Sequence, residues 1–275
     1  MPRRPDTTIT SRSNPRILDA VRLRDRRERE RTGRTLIDGA RELTTAISAG
    51  TVIEVVYAVD EDASTPVGVS TTLEVARLEG IEVVTVAPAV LERLAFGDRL
   101  DGVVAVARVP DVGLEHLSAS DPALVVVIEA LEKPGNLGAI LRTADATGAS
   151  VIAADPHTDL FNPNAIRASL GTIFTVPVAS ASTSDTLAWL RERQIPIVAA
   201  RVDATLPYWS ADLRSPVAIA LGSETHGLSD AWSGEGVSAV RLPMSGIADS
   251  LNVATTAAVL LYEATRQREA DAATG

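Results

Sequence analysis

The chain has 275 residues, enough for one large domain or two of middling size, and no cysteine, which excludes disulfides, thiolate nucleophiles and Cys-based zinc sites and fits a reducing cytosol. Apolar residues make up 45% but aromatics only 3%, so the core must be built from Val, Leu, Ile and Ala; no apolar run reaches the ~18 residues of a membrane span, and no membrane partner is expected. The net charge of −10 argues against a nucleic-acid partner for the chain as a whole, yet eleven of its 26 basic residues lie in positions 1–34 against five acids, a local surplus of six.

That opening segment reads as a basic arm and helix over 1–32, with Arg22, Arg24, Arg26, Arg27, Arg29 and Arg31 crowded before Gly33. It is either a solvated charged helix or an arm that contacts a phosphate backbone. A compact α/β pattern follows over 33–110. A helix spans Gly39–Ala49 and ends at Gly50. Strand Val52–Val59, helix Thr71–Glu79, strand Ile81–Val86, a short helix from Pro88 and strand Gly102–Arg108 complete the unit. The polar stretch 111–122 reads as a linker.

The remainder, 123–275, opens with Ala123–Ala130, whose unbroken apolar run fits a buried parallel strand. Similar runs recur at Val151–Ala154, Phe174–Val178, Ile195–Ala200, Pro216–Leu221 and Ala239–Met244. Helices fit Asn136–Thr147, Pro163–Leu170, Thr186–Arg193 after a Ser184 cap, and Ser250 to about Arg268. The pattern predicts a doubly wound α/β domain with ligands beyond the strands' carboxyl ends.

Three segments sit at such ends. Glu132-Lys-Pro-Gly-Asn-Leu-Gly-Ala-Ile-Leu-Arg142 follows the first strand; Gly135 and Gly138 bracket its turn and Asn136 sits near the helix start. Arg142, among Ala139, Ile140, Leu141 and Ala144, needs a partner, either in a structural ion pair or in a site. The second segment, Leu221-Gly222-Ser223-Glu224-Thr-His226-Gly-Leu-Ser229, makes a sharp loop in which Glu224 could pair with Arg142 and His226 is more a loop residue than a reactive one. In the third, Leu242-Pro243-Met244 ends a strand and Ser250-Leu251-Asn252 opens a helix whose free amides suit an anion, with Ser250 also readable as a plain cap. The three histidines show no metal spacing, so no metal is expected. A dinucleotide fold would place Asp155 well, but Gly135-x-x-Gly138 lacks the G-x-G-x-x-G pattern.

In this order the three segments resemble the signature motifs of the SpoU, or TrmH-like, branch of the SPOUT RNA 2′-O-methyltransferases: N-x-G-x-x-x-R, G-S-E-x-x-G-L-S and P-M-x-G-x-x-x-S-L-N-V. Asn164–Gly171 and the 33–108 region, similar to the family's L30e-like RNA-binding domain, extend the resemblance over most of the chain. Leu242 departs from a usual isoleucine and Ala254 from a frequent serine. The resemblance implies a C-terminal α/β-knot domain with a parallel sheet and deep trefoil knot, S-adenosyl-L-methionine as cofactor, and a homodimer. It makes Arg142, Asn136, Glu224, Ser250 and Asn252 the catalytic set. It assigns the cofactor to Ala200, Leu221, Gly222, Ser223, Glu224, Leu242, Pro243, Met244, Leu251 and Asn252, and an RNA contact to Arg167; the basic segment adds Arg22, Arg26 and Arg34 as expected RNA contacts. The implied activity is cytoplasmic ribose methylation of 23S rRNA, close to the avilamycin- and thiostrepton-resistance enzymes, with avilamycin resistance favoured. A tRNA ribose methyltransferase and a catalytically silent ribosome-assembly protein are the alternatives.

Overall fold

The computed structural model describes residues 8–62, 65–96 and 102–272. Their contacts form two units: the described residues up to Pro110 with Asp159–Thr175, and Asp111–Thr158 with the residues from Val176 onward.

The first unit opens with α1 (Pro15–Arg22), where Asn14 Oδ1 accepts the Arg16 amide at 2.9 Å and proline takes the first turn. Ile17, Ala20 and Leu23 are fully buried in the same cluster as Leu36, Tyr57, Leu94 and Val104. The basic segment is therefore part of the core and not a free arm; Arg3 and Arg4 lie outside the described residues. Helix α2 (Arg26–Thr32) is capped by Asp25 and stopped by Gly33, whose φ of 62° suits glycine. Strand β1 (Arg34–Asp38) was not expected from the sequence, because its charged ends mask a buried Thr35-Leu36-Ile37 centre. Next come α3 (Ala40–Ser48), β2 (Ile53–Ala58), α4 (Val67–Leu78), β3 (Val83–Thr85), α5 (Pro88–Leu94) and β4 (Val103–Arg108). The sheet order is β1-β4-β2-β3; β4 is antiparallel to β1 and β2, and β3 is parallel to β2.

The second unit carries β5 (Leu124–Glu129), α6 (Pro134–Thr147) and β6 (Ser150–Ala154). The chain then leaves for α7 (Pro163–Ala168), within the segment that belongs to the first unit, where Thr35 Oγ1 donates to Phe161 O at 2.7 Å. It returns as β7 (Val178–Ala181), α8 (Thr183–Glu192), β8 (Ile197–Ala200), β9 (Leu206–Pro207), β10 (Val217–Leu221), β11 (Val237–Arg241) and α9 (Val253–Ala272). Seven strands in the order β7-β6-β5-β10-β8-β11-β9 pair in parallel throughout. Val125, Val127, Ile152, Ala218 and Ala220 build the aliphatic core around Trp232.

Several boundaries differ from the sequence reading for local reasons. Phe174 ends a single 3₁₀ turn after Gly171, and pairing starts only past Pro177, which has no N–H to give a ladder. Pro243 likewise lies beyond a strand that has already ended at Arg241. Helix α8 is capped by Ser182, whose Oγ accepts the Asp185 amide at 3.0 Å, and not by Ser184. Asn252, and not Ser250, caps α9: its Oδ1 accepts the Ala254 amide at 3.0 Å and its carbonyl accepts Thr256 N–H at 2.9 Å. The stretch 111–122 is ordered cover for the second unit, with Val112 O accepting Ser180 N–H at 2.8 Å and Leu114 O accepting Trp189 Nε1 at 3.2 Å.

Candidate active site

Strands β8, β10 and β11 end in loops that surround a pocket of about 540 Å³, within the usual range for small-molecule sites. Of the expected cofactor residues, Ala200, Leu221, Gly222, Ser223, Glu224, Leu242, Met244, Leu251 and Asn252 line it, as does Ser250; Pro243 does not. Arg201, Val202, Asp249 and Thr256 also line it and were not singled out from the sequence.

The loop after β10 is tightly turned. Ser223 and Gly227 form an isolated bridge, and the His226 amide donates to Ser223 Oγ at 3.1 Å. A Cβ on Gly222 would lie 1.9 Å from Gly227 C, so only glycine permits this closure. Within the loop, Glu224 gathers the other two motifs. Its Oε1 accepts Asn136 Nδ2 at 3.0 Å and Asn252 Nδ2 at 2.6 Å, and Asn252 Nδ2 also donates to Asn136 Oδ1 at 3.2 Å. Asn136 lies in the first turn of α6 and Asn252 caps α9, so the carboxylate faces two helix N-termini, where negative charge is favoured. Its cation is Lys133, directly before α6. Lys133 foremost, then Asn136 and more weakly Asn252, hold the Glu224 carboxyl below the usual carboxylate range against the opposing effect of burial.

Arg142 does not pair with Glu224. It stands six residues past Asn136, roughly 9 Å along the helix, exposed and with no hydrogen bond or ion pair among the described residues. The sequence argument that this arginine needs a partner fails because its side chain is solvated. Ser250 is exposed on the pocket rim.

The four arginines assigned to RNA separate. Arg34 pairs with Asp19 at 2.9 Å and Glu54 at 3.5 Å, Arg26 with Glu30 at 2.6 Å, and Arg167 with Asp38 at 3.4 Å and Phe96 O. Arg22 alone of the four is exposed with no side-chain hydrogen bond or close ion pair among the described residues, its charge acting on Asp19 and Glu28 only at longer range; Arg27 and Arg41 likewise make no such bond.

The pocket lining is part apolar and part polar. Leu221, Leu242, Met244 and Val253 offer an apolar wall, and Arg201 keeps Nη1 buried without a partner while Nε and Nη2 engage Asp203 at 3.1 and 3.3 Å. Among the described residues no group of three His, Cys, Asp or Glu is placed to hold a metal ion, and no helix is long and apolar enough to cross a membrane.

A parallel sheet whose carboxyl edge joins these three motifs defines an RNA methyltransferase, and the chain belongs to the SpoU rRNA methylase family, which matches residues 123–262. An MRM3-like substrate binding domain matches residues 14–105. Among relatives, a 23S rRNA (uridine(2479)-2′-O)-methyltransferase of Streptomyces viridochromogenes is 32% identical over 90% of this chain and 87% of its own length. A solved RNA 2′-O ribose methyltransferase is 42% identical, covers 96% of this chain and 100% of its own, and superposes with a TM-score of 0.83. The SpoU methyltransferase AviRb from Streptomyces viridochromogenes, solved in complex with the cofactor AdoMet, is 29% identical over 93% of this chain and 98% of its own, with a TM-score of 0.84.

Proposed function

We propose that the pocket binds S-adenosyl-L-methionine and that the enzyme methylates a ribose 2′-hydroxyl of 23S rRNA. The carrying observation is the single hydrogen-bonded cluster of Asn136, Glu224 and Asn252, which joins three segments far apart in sequence at the pocket's edge. A partly apolar wall and the unpartnered Arg201 Nη1 fit a ligand with an adenosine end and an amino-acid end.

When bound, the cofactor supplies an activated methyl group. The chain's own residues supply placement and charge. Main-chain groups at Gly222, Leu242 and Leu251 would hold the ligand, and Glu224 keeps the three motifs in register. Arg142 is the group for the ribose oxygen: a guanidinium is a poor base, its pKa exceeding ~12, so it stabilises developing negative charge and takes no proton. The proton leaves to solvent or to an RNA phosphate. Arg142 is turned to solvent in the single chain, where a second copy beside α6 would meet it, so the reading includes a homodimer; the trefoil knot belongs to it by family resemblance. RNA docks on the first unit through Arg22, with Arg27 and Arg41 as further exposed cations that make no hydrogen bond or ion pair among the described residues. The reading extends to a cytoplasmic enzyme that protects ribosomes against an avilamycin-like antibiotic.

Mass-spectrometric mapping of 2′-O-methyl groups on 23S rRNA, with and without the enzyme and S-adenosyl-L-methionine, tests it. A single new enzyme-dependent ribose methylation is the expected result; modification confined to tRNA, or none at all, overturns it.

A further inference from the structure

Beneath the pocket loop lies a carboxylate that the proposed chemistry does not use. Glu129 ends β5, a strand otherwise made of Leu, Val and Ile, and is 7% exposed. No cation pairs with it among the described residues. Its charge is met by three donors: the Ser229 amide at 2.7 Å on Oε2, and the hydroxyls of Ser229 at 2.7 Å and Thr183 at 3.1 Å on Oε1. The Thr183 amide in turn donates to Asp155 at 2.9 Å. Both strand ends are strained: Ala130 after β5 has φ 51° and Asp155 after β6 has φ 44°, uncommon for residues other than glycine.

The geometry matters because of what Ser229 terminates. The loop from Gly222 to Ser229 carries Ser223 and Glu224 into the pocket. Its near end is set by the close approach of Gly222 and Gly227. Its far end has Ser229, bound twice to one buried carboxylate. Glu129 is buried while Ser229 is exposed, so the cost falls on the carboxylate: a buried anion that lost these donors would be poorly solvated, and it holds the Ser229 end of the loop in place.

We infer that Glu129 is a positioning residue for the methyl-donor pocket, which fixes the far end of the Gly222–Ser229 loop through Ser229 and so holds Ser223 and Glu224 in binding geometry. It touches no ligand itself. This rests on the proposed cofactor reading of the pocket.

The chemistry specifies an unusual pair of variants. Glu129→Gln keeps the shape: one amide oxygen can accept the Ser229 N–H, and the NH₂ can donate to the two hydroxyl oxygens, which reorient. Glu129→Leu keeps the bulk but removes the carboxylate that ties Ser229 to the end of β5, leaving its amide and hydroxyl to water. Calorimetry with S-adenosyl-L-methionine, alongside Tm, is the experiment. Glu129→Gln is expected to leave the wild-type Kd unaltered, and Glu129→Leu to raise it about tenfold or more, beyond any change shown by equally destabilised core variants such as Leu190→Ala. In turnover the same loss appears in KM for the cofactor and not in kcat. Ser229→Ala, which leaves Glu129 and its other donors in place, keeps the proposal testable where Glu129→Leu does not fold, and is expected to raise Kd a few-fold, about 3. An unchanged Kd in Glu129→Leu, or in Ser229→Ala, overturns the inference, as does a Glu129→Gln variant as weak as the leucine one. A wild-type chain that binds no S-adenosyl-L-methionine overturns the cofactor reading instead, and this inference with it.

Discussion

The Glu224 carboxylate is held by Lys133, the only lysine in the chain, across 91 residues of sequence, while Arg142 stands apart in solvent. The pairing makes Glu224 a fixed anion with a lowered pKa. A carboxyl whose folded value is depressed contributes stability above its unfolded value, about 4.3, and loses it as pH falls through the lower folded value. The three-motif cluster should therefore survive mild acid. Lys133→Met removes the largest cause of the lowering, so the loss should begin at higher pH. Cofactor affinity measured from pH 7 down to pH 4 checks this: the variant's affinity should fall earlier in the titration than the wild type's.

Gly222→Ala should disrupt the pocket loop by the simplest means, one methyl group. Its Cβ would meet Gly227 C at 1.9 Å and Leu228 N at 2.2 Å, both backbone atoms that cannot swing away. The loop must open to admit it. Cofactor Kd should rise by about tenfold or more, as expected when a positioned polar site loses its geometry, and the same change at Gly135, where a Cβ meets nothing within 4 Å, should leave Kd unaltered. Calorimetry on both variants makes the comparison.

How much of this was legible beforehand depends on the range of the interaction. The parallel strands were readable because both faces are buried, which leaves unbroken runs such as Leu-Val-Val-Val-Ile. Asn136, Glu224 and Asn252 were readable as polar residues at strand ends. Lys133 was not, because a lysine beside Pro134 looks like any exposed residue until Glu224 is brought to it. Glu129 was passed over although a charge at the end of an apolar strand is a signal in itself. Residues 159–175 carry the same helical pattern whichever unit they pack in, so their membership of the first could not be read locally. The cap of α9 was misplaced by two residues because Ser250 and Asn252 are equally good caps on propensity, and only the hydrogen bond to Ala254 decides.

Arg22 and Arg34 should separate RNA affinity from stability. Arg22 is exposed and makes no hydrogen bond or close ion pair among the described residues, so Arg22→Ala should lower RNA affinity and reduce the slope of log K against log salt by about one, the value of a lost phosphate contact. Arg34 is committed to Asp19 and Glu54, which hold its pKa up. Arg34→Ala should leave the salt slope unaltered and cost about 1–2 kcal/mol of stability, since Asp19 is half-exposed but Arg34 and Glu54 are mostly buried. Filter binding at several salt concentrations and urea unfolding give the two readouts.

Arg29 is the contrasting case within the same basic segment. Its side chain is 3% exposed, with Nε on Asp159 at 2.6 Å and Nη1 on the carbonyls of Leu23 and Arg24 at 2.8 and 2.9 Å. Arg29→Ala leaves a poorly solvated carboxylate and two carbonyls without donors, and should destabilise by about 3 kcal/mol. Deleting the whole opening segment would remove Ile17 and Leu23 from the core as well, so truncation cannot report on RNA binding, and point substitutions must.

Arg142→Ala isolates chemistry from binding. The residue lies off the pocket lining, and no protein group depends on it among the described residues. Its removal should leave Tm and cofactor Kd near their wild-type values, within about twofold for Kd. If its charge faces the ribose oxygen in the assembled enzyme, turnover should fall by about 10²–10³-fold, the usual cost of losing one preorganised stabilising group. Arg142→Lys should recover little, because a point charge on a flexible stem does not reproduce a planar fork. A tritiated-methyl assay with rRNA, run beside calorimetry, gives both quantities. Equal losses in cofactor affinity and turnover would instead place Arg142 in cofactor binding, and full activity would remove it from the mechanism. Mixing Arg142→Ala chains with Gly222→Ala chains carries the argument to the assembly: recovered activity in the mixture means that Arg142 of one subunit serves the pocket of the other, and no recovery means that it serves its own.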